Sequence, residues 1–187
     1  MEINEALPEY KRYTYDEYCE WEDDKRWELI DGVPYAMSAP NQSHQEICVQ
    51  LLRIIANFLV GKTCKVFVAP FDVRLNVDTG DDTVVQPDLL VVCDRSKLDG
   101  TSVLGAPDLV IEILSPSTSM RDRVLKLRRY LQAGVREYWI VEPESQSLSV
   151  HVLKNGEYVI NAYGSDESVP VQVLDGCTVN LSDVFAE

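Results

Sequence analysis

The chain is poor in histidine, in paired cysteines and in positive charge. Only His44 and His151 occur, so a histidine-built metal centre is not expected. Five cysteines, Cys19, Cys48, Cys64, Cys93 and Cys177, are scattered, odd in number and never spaced Cys-x-x-Cys. That argues against a disulfide framework and against a zinc knuckle. No apolar stretch approaches the about 18 residues that span a bilayer, and the acidic start, Met1-Glu2-Ile3-Asn4-Glu5, lacks the apolar segment of a signal peptide. The expectation is a cytoplasmic protein without a membrane partner. Repeats, low-complexity tracts and linkers are also lacking, so residues 1–187 read as a single domain long enough to bury a core. Seventeen Lys and Arg against 31 Asp and Glu leave a formal net charge of −14, which works against polyanion binding. One segment runs the other way: Arg121 to Arg129 carries five basic side chains and one acid. Screening over about 8 Å at physiological salt lets such a patch act locally.

What the chain does have is a carboxylate where apolar residues are expected. Residues 109–114 read Leu-Val-Ile-Glu-Ile-Leu, and Pro87-Asp88 opens a second apolar run, Leu89 to Cys93. Continuous runs of this kind mark strands covered on both faces. An unpaired ionised carboxylate there costs several kcal/mol, so Glu112 requires a metal ion, a lysine or a hydrogen-bond network. Two such acids on neighbouring buried strands point to a cation site. Asp88, Glu112 and a backbone carbonyl such as that of Ile113 supply the hard oxygens that Mg²⁺ takes.

Around these strands the patterns predict a short helix over 15–22, capped by a Thr14/Glu17 box, and a hairpin of 27–30 and 33–37 on Asp31-Gly32. A Ser43/Glu46 box opens an amphipathic helix ending at Gly61. Strands are expected over 65–75, 84–93 and 108–114. A helix over 119–133 follows, capped at Ser115-Pro116-Ser117-Thr118 and closed by Gly134. A strand at 138–141, a hairpin of 148–153 and 158–162 on Asn155-Gly156, and a last short strand with a turn of helix complete the chain. The order gives an α/β fold of the α+β kind, a mixed sheet flanked by helices with hairpins at both ends.

Pro87-Asp88 followed by Glu112-Ile113-Leu114 resembles the metal-binding signature of PD-(D/E)XK nucleases. An ordered set of phrases is similar, more narrowly, to the Uma-two family of restriction-endonuclease-like proteins. They are Trp27-Glu28-Leu29-Ile30-Asp31-Gly32, His44, Gln86-Pro87-Asp88, Glu112 through Thr118, Asp122-x-x-x-Lys126-x-x-x-Tyr130, and Gly134 through Trp139. The resemblance implies a restriction-endonuclease-like αβββαβ core and a Mg²⁺- or Mn²⁺-dependent endonuclease acting on DNA. Asp88 and Glu112 are then the metal ligands, and Glu28 and His44 are further candidates. The chain departs from the nuclease pattern at Leu114, which shares the strand face of Glu112 and stands where a lysine belongs. Lys126, at the edge of an apolar arc of Val124, Leu127, Tyr130 and Leu131, is the candidate replacement, snorkelling toward the end of the sheet.

Each residue also has a plainer reading. Asp88 is a turn residue after proline, and Pro107-Asp108 is assigned that role outright. Glu112 sits in a buried pair with an arginine. Asp122 and Lys126 form a surface ion pair of about 0.3 kcal/mol, and Glu28 is a solvated hairpin residue. His44, in a first helical turn, is kept neutral by the macrodipole, as a site base or as a structural histidine. His151 receives no role. The alternative function is a nuclease-fold module that binds nucleic acid or protein without cleaving. A homodimer through the appended strands is compatible with either.

Overall fold

Thr14 caps helix α1 (Tyr15–Cys19) by accepting from the Glu17 N–H, and Glu17 reciprocates with its carboxylate. The computed structural model to which this belongs describes residues 11–22, 24–115 and 119–186. Helix α1 is shorter than the predicted 15–22. Asp31 and Gly32, at φ 55° and 73°, fold β1 (Trp27–Ile30) onto β2 (Val33–Ala36) as expected. Helix α2 (Gln42–Phe58) is capped by Asn41, whose side chain accepts from the His44 N–H at 2.9 Å. The expected Ser43/Glu46 box is therefore not the cap, because Asn41 takes the extended cap conformation two residues earlier.

Two expected strands each break at a proline. The 65–75 run becomes β3 (Lys65–Val68) and β4 (Asp72–Arg74), divided at Pro70. The 84–93 run becomes β5 (Val84–Val85) and β6 (Leu89–Val92), divided at Pro87. Proline offers no N–H to a ladder, and at each one the chain passes between the two sheets. The sequence patterns also miss β7 (Ser102–Leu104), a short strand parallel to β4. After β8 (Leu109–Ile113) a π-helical turn (Arg121–Lys126) runs into α3 (Leu127–Ala133), which Gly134 ends at φ 85°. Helix is assigned throughout 119–133, as predicted; of the expected cap Ser115-Pro116-Ser117-Thr118, residues 116–118 lie outside the described residues. β9 (Glu137–Glu142), β10 (Ser147–Lys154) and β11 (Glu157–Tyr163) follow, and β10 turns into β11 at Asn155-Gly156, both at positive φ. The last elements are β12 (Ser168–Pro170), β13 (Thr178–Asn180) and α4 (Leu181–Val184).

The strands assemble into a six-stranded sheet, β11-β10-β9-β8-β6-β3, a five-stranded sheet, β2-β1-β5-β4-β7, and the β12–β13 pair. β8 runs parallel to β9 and antiparallel to β6, so the large sheet is mixed. One face of β8, with Leu109, Ile111 and Ile113, packs in the core beneath α2 and the C-terminal segment. The other face, with Val110 and Leu114, packs with Tyr130 and Tyr138. Burial on both faces accounts for the unbroken apolar runs. The register Leu89↔Ile111, continued by one residue, sets Asp88 opposite Glu112, and opposite residues share a face.

The same reasoning corrects the cysteine expectation. The register Lys65↔Val92, continued by one residue, sets Cys64 opposite Cys93, and a disulfide joins them with Cα atoms 3.9 Å apart. A separation of 29 positions along the chain carries no such signal; the antiparallel pairing does. Among the described residues no helix is long and apolar enough to cross a membrane.

Candidate active site

Glu112 is the one charged residue of β8, and it is buried. Its Oε1 accepts from Lys126 Nζ at 2.8 Å and from the Tyr130 hydroxyl at 2.7 Å. Lys126 Nζ also lies 2.7 Å from Glu28 Oε1 and 3.3 Å from Asp122 Oδ1. The spacing explains how one helix presents these groups. Asp122, Lys126 and Tyr130 are four apart and share one helix face, which turns inward while Val124 and Leu125 face solvent. The apolar arc expected from a 3.6-residue period therefore fails at Val124. Lys126 does not snorkel from an edge; it sits among three carboxylates. The surface reading of Asp122 and Lys126 is corrected on the same ground, and so is the solvated reading of Glu28, which is fully buried. The arginine partner considered for Glu112 is in fact this lysine.

Asp88 closes the other side. Its Oδ2 accepts from the Ile113 N–H at 2.8 Å and meets His44 Nε2 at 3.1 Å. Burial acts to lower the His44 pKa, but the hydrogen bond and charge of Asp88 reverse this and raise it above the ordinary histidine value. The helix macrodipole, expected to disfavour protonation, is opposed here by a carboxylate in contact. Ile113 meets the site through its N–H. Gln86 ties the hairpin to this edge, its backbone N–H reaching Glu28 Oε1 at 2.9 Å. Its side chain accepts from Arg26 and donates to Asp72 at 2.8 Å. Asp108, by contrast, holds the Cys93 N–H at 2.7 Å and Arg136 at 2.9 Å, the structural role expected of it.

Glu28, His44, Asp88, Glu112, Ile113 and Lys126, all named from the sequence, line one pocket of about 280 Å³. Asp122, Arg26, Gln86 and Arg121 line it too. Asp122 could have been found from Lys126, since an inward lysine carries its i−4 neighbour inward. Gln86 stood out as a polar residue at the end of an apolar run. Arg26 had no sequence signal.

The pocket is short of positive charge. Among the described residues the carboxylates of Glu28, Asp88, Glu112 and Asp122 share the pocket with Lys126, Arg121 and Arg26, leaving one negative charge over when all four are ionised and His44 is neutral. Burial pushes the Glu112 carboxyl well above the usual carboxylate range, the neighbouring acids add to this, and Lys126 opposes it. Burial alone would lower the Lys126 ammonium, but Glu112, Glu28 and Asp122 hold it well above an ordinary lysine. Glu28 Oε2 and Asp122 Oδ1 are buried without a hydrogen-bond partner among the described residues. Hard, undersatisfied oxygens fit Mg²⁺ or Mn²⁺. Among the described residues no three His, Cys, Asp or Glu side chains form a group that could by itself hold a metal ion.

The basic segment is not a free cationic stripe. Lys126 and Arg121 face the acids, Arg123 pairs with Glu142 at 2.7 Å, and Arg129 pairs with Asp31. Arg128 alone of the five has no carboxylate partner among the described residues.

A protein of Synechocystis sp., uncharacterized protein slr1290, is 29% identical over 169 residues, covering 88% of this chain and 87% of its own length. The crystal structure of a putative nuclease belonging to DUF820 from Anabaena variabilis matches with a TM-score of 0.75 at 21% identity. That match covers 92% of this chain and 97% of the other, and it establishes the fold as one shared with that protein. Residues 14–182 match the family model Uma2, described as "Putative restriction endonuclease", and the chain belongs to that family.

Proposed function

We propose that this chain is a Mg²⁺- or Mn²⁺-dependent endonuclease that hydrolyses phosphodiester bonds in DNA, working as one domain. The observation that carries the reading is the pocket in which Glu28, Glu112 and Asp122 surround one buried lysine beside Asp88, with Glu28 Oε2 and Asp122 Oδ1 lacking hydrogen-bond partners among the described residues. Asp88 and Glu112, opposite one another on adjoining strands, would hold the ion, with the Ile113 carbonyl as a further oxygen. When bound, the ion would supply Lewis-acid polarisation of a phosphoryl oxygen and a lowered pKa for a bound water. Lys126 would place its ammonium beside the attacked phosphate and offset developing charge. Glu28 and Asp122 keep that ammonium protonated and fixed. His44 acts through Asp88, whose carboxylate it orients.

The test is a plasmid-nicking assay. Wild-type protein should nick with Mg²⁺ or Mn²⁺ and not with a chelator, and Glu112→Ala should be inactive. Cleavage that persists in Glu112→Ala or in chelator would end the proposal. One observation favours a non-cleaving binding module instead: Lys126 pairs directly with Glu112 at 2.8 Å, giving that carboxylate a counter-charge from the protein itself. Calorimetric Mn²⁺ binding that Asp88→Ala and Glu112→Ala leave unchanged would support that second reading.

A further inference from the structure

Beside the acidic pocket runs a second concavity of different character. It is a groove of about 510 Å³ lined by Tyr35, Ala36, Ser38, Met120, Arg121, Val124 and Leu125. Ser38 and Arg121 line both, so the two are continuous. In a chain of net charge −14, the described residues of this groove include no acid and one cation. Its floor is apolar and open: Met120 is 81% exposed and Val124 58%. Single exposed apolar residues are ordinary, but a cluster next to a polar site calls for a ligand. The Arg121 guanidinium lies 5.6 Å from the Tyr35 ring centre and 3.7 Å from Glu28 Oε2. Its Nε is buried and without a hydrogen-bond partner among the described residues.

From this we infer that the groove is a subsite for one unstacked nucleobase next to the scissile phosphate; the inference rests on the nuclease reading. A polymer whose phosphate enters the acidic pocket carries its neighbouring unit into the groove. In a nucleic acid that unit offers a flat π-face, which aromatic and guanidinium groups stack without regard to sequence. Arg121 joins the two subsites, one side against Tyr35 and the other toward the phosphate. A base inside an intact duplex cannot present its face to such a wall, so the preferred substrate is single-stranded or locally unpaired.

The experiment uses full-length protein carrying Glu112→Gln to hold back turnover, in Mg²⁺ buffer. It is titrated with a single strand containing 2-aminopurine and with the same strand in a duplex. Fluorescence should be quenched on the single strand, with affinity about tenfold tighter than for the duplex. Tyr35→Ala and Val124→Glu should each weaken single-strand binding about tenfold and remove the quenching; Val124→Glu, at an exposed position, covers the case in which Tyr35→Ala does not fold. Equal affinity for both forms, or indifference to both variants, overturns the subsite, and metal-dependent nicking by wild-type protein would then leave the nuclease reading standing. No binding together with no nicking removes both. Sedimentation in which Val124→Glu turns a dimer into a monomer assigns the groove to a second copy and also overturns the inference.

Discussion

Lys126 Nζ meets Glu112 Oε1 at 2.8 Å although the lysine stands on the helix after β8 and not two places along the strand. The strand position that faces the same way holds Leu114, which packs in the core with Tyr130. The ammonium therefore reaches Glu112 from a different stretch of backbone, and apolar packing on that face resumes at Leu114, just past β8.

Removing that ammonium leaves Glu28, Glu112 and Asp122 buried together. Breaking a buried ion cluster by deleting one partner costs about 3–5 kcal/mol. Lys126→Met should accordingly lower the unfolding free energy from urea titration by that amount, with a lower midpoint, and adding Leu114→Lys should recover part of it by returning a cation to the Glu112 face. An unchanged midpoint in Lys126→Met would show that the cluster does not hold the helix to the sheet.

Glu112→Gln should separate stability from activity. The amide keeps an acceptor for Tyr130 and Lys126 and removes a carboxyl that burial holds well above its ordinary range. Stability is expected within about 1 kcal/mol of wild type, the scale of one net hydrogen bond. Metal-dependent cleavage should fall by more than the about 10–100-fold that losing an outer partner takes from a metal site. Equal losses of stability and cleavage would make Glu112 a structural residue.

The sequence revealed Asp88 and Glu112 because a charge inside an apolar run has few explanations, and the ordered family phrases brought in Glu28, His44 and Lys126. It misdirected the geometry of Lys126 because the buried face of its helix carries Asp122 and Lys126, while apolar Val124, which fits a 3.6-residue arc, faces solvent. It hid the Cys64–Cys93 bridge because only strand register brings those residues together. The breaks at Pro70 and Pro87 were legible as prolines. The sheet change at each was not, because it depends on which partner strand lies beyond.

Gln86 joins Arg26, Asp72 and Tyr18 behind the pocket. Gln86→Leu would leave a half-buried guanidinium and carboxylate without their shared partner, a penalty of about 1–3 kcal/mol. Its backbone N–H to Glu28 survives the substitution. Unfolding should be easier by that amount while nicking by the folded fraction stays near wild type. A large loss of nicking at intact stability would instead mean that the side chain acts on substrate.

His151 on β10 is buried, and neither ring nitrogen has a hydrogen-bond partner among the described residues. Tyr138 and Tyr158 flank it, with ring centres 5.7 and 5.8 Å away. Burial lowers its pKa below the ordinary histidine value, and Arg123 adds to the effect. Between that lowered pKa and about 6.5, the unfolded chain holds a proton that the folded protein excludes. Its contribution to stability is thus complete above about pH 6.5 and declines as pH falls through the window, by at most about 1.4 kcal/mol per pH unit. His151→Leu removes the titrating group while keeping an apolar side chain between the two tyrosines. Urea unfolding of both proteins between about pH 7 and pH 5 should give a shallower pH slope for the variant. Parallel slopes would show that His151 takes up its proton without opening the β10–β11 hairpin.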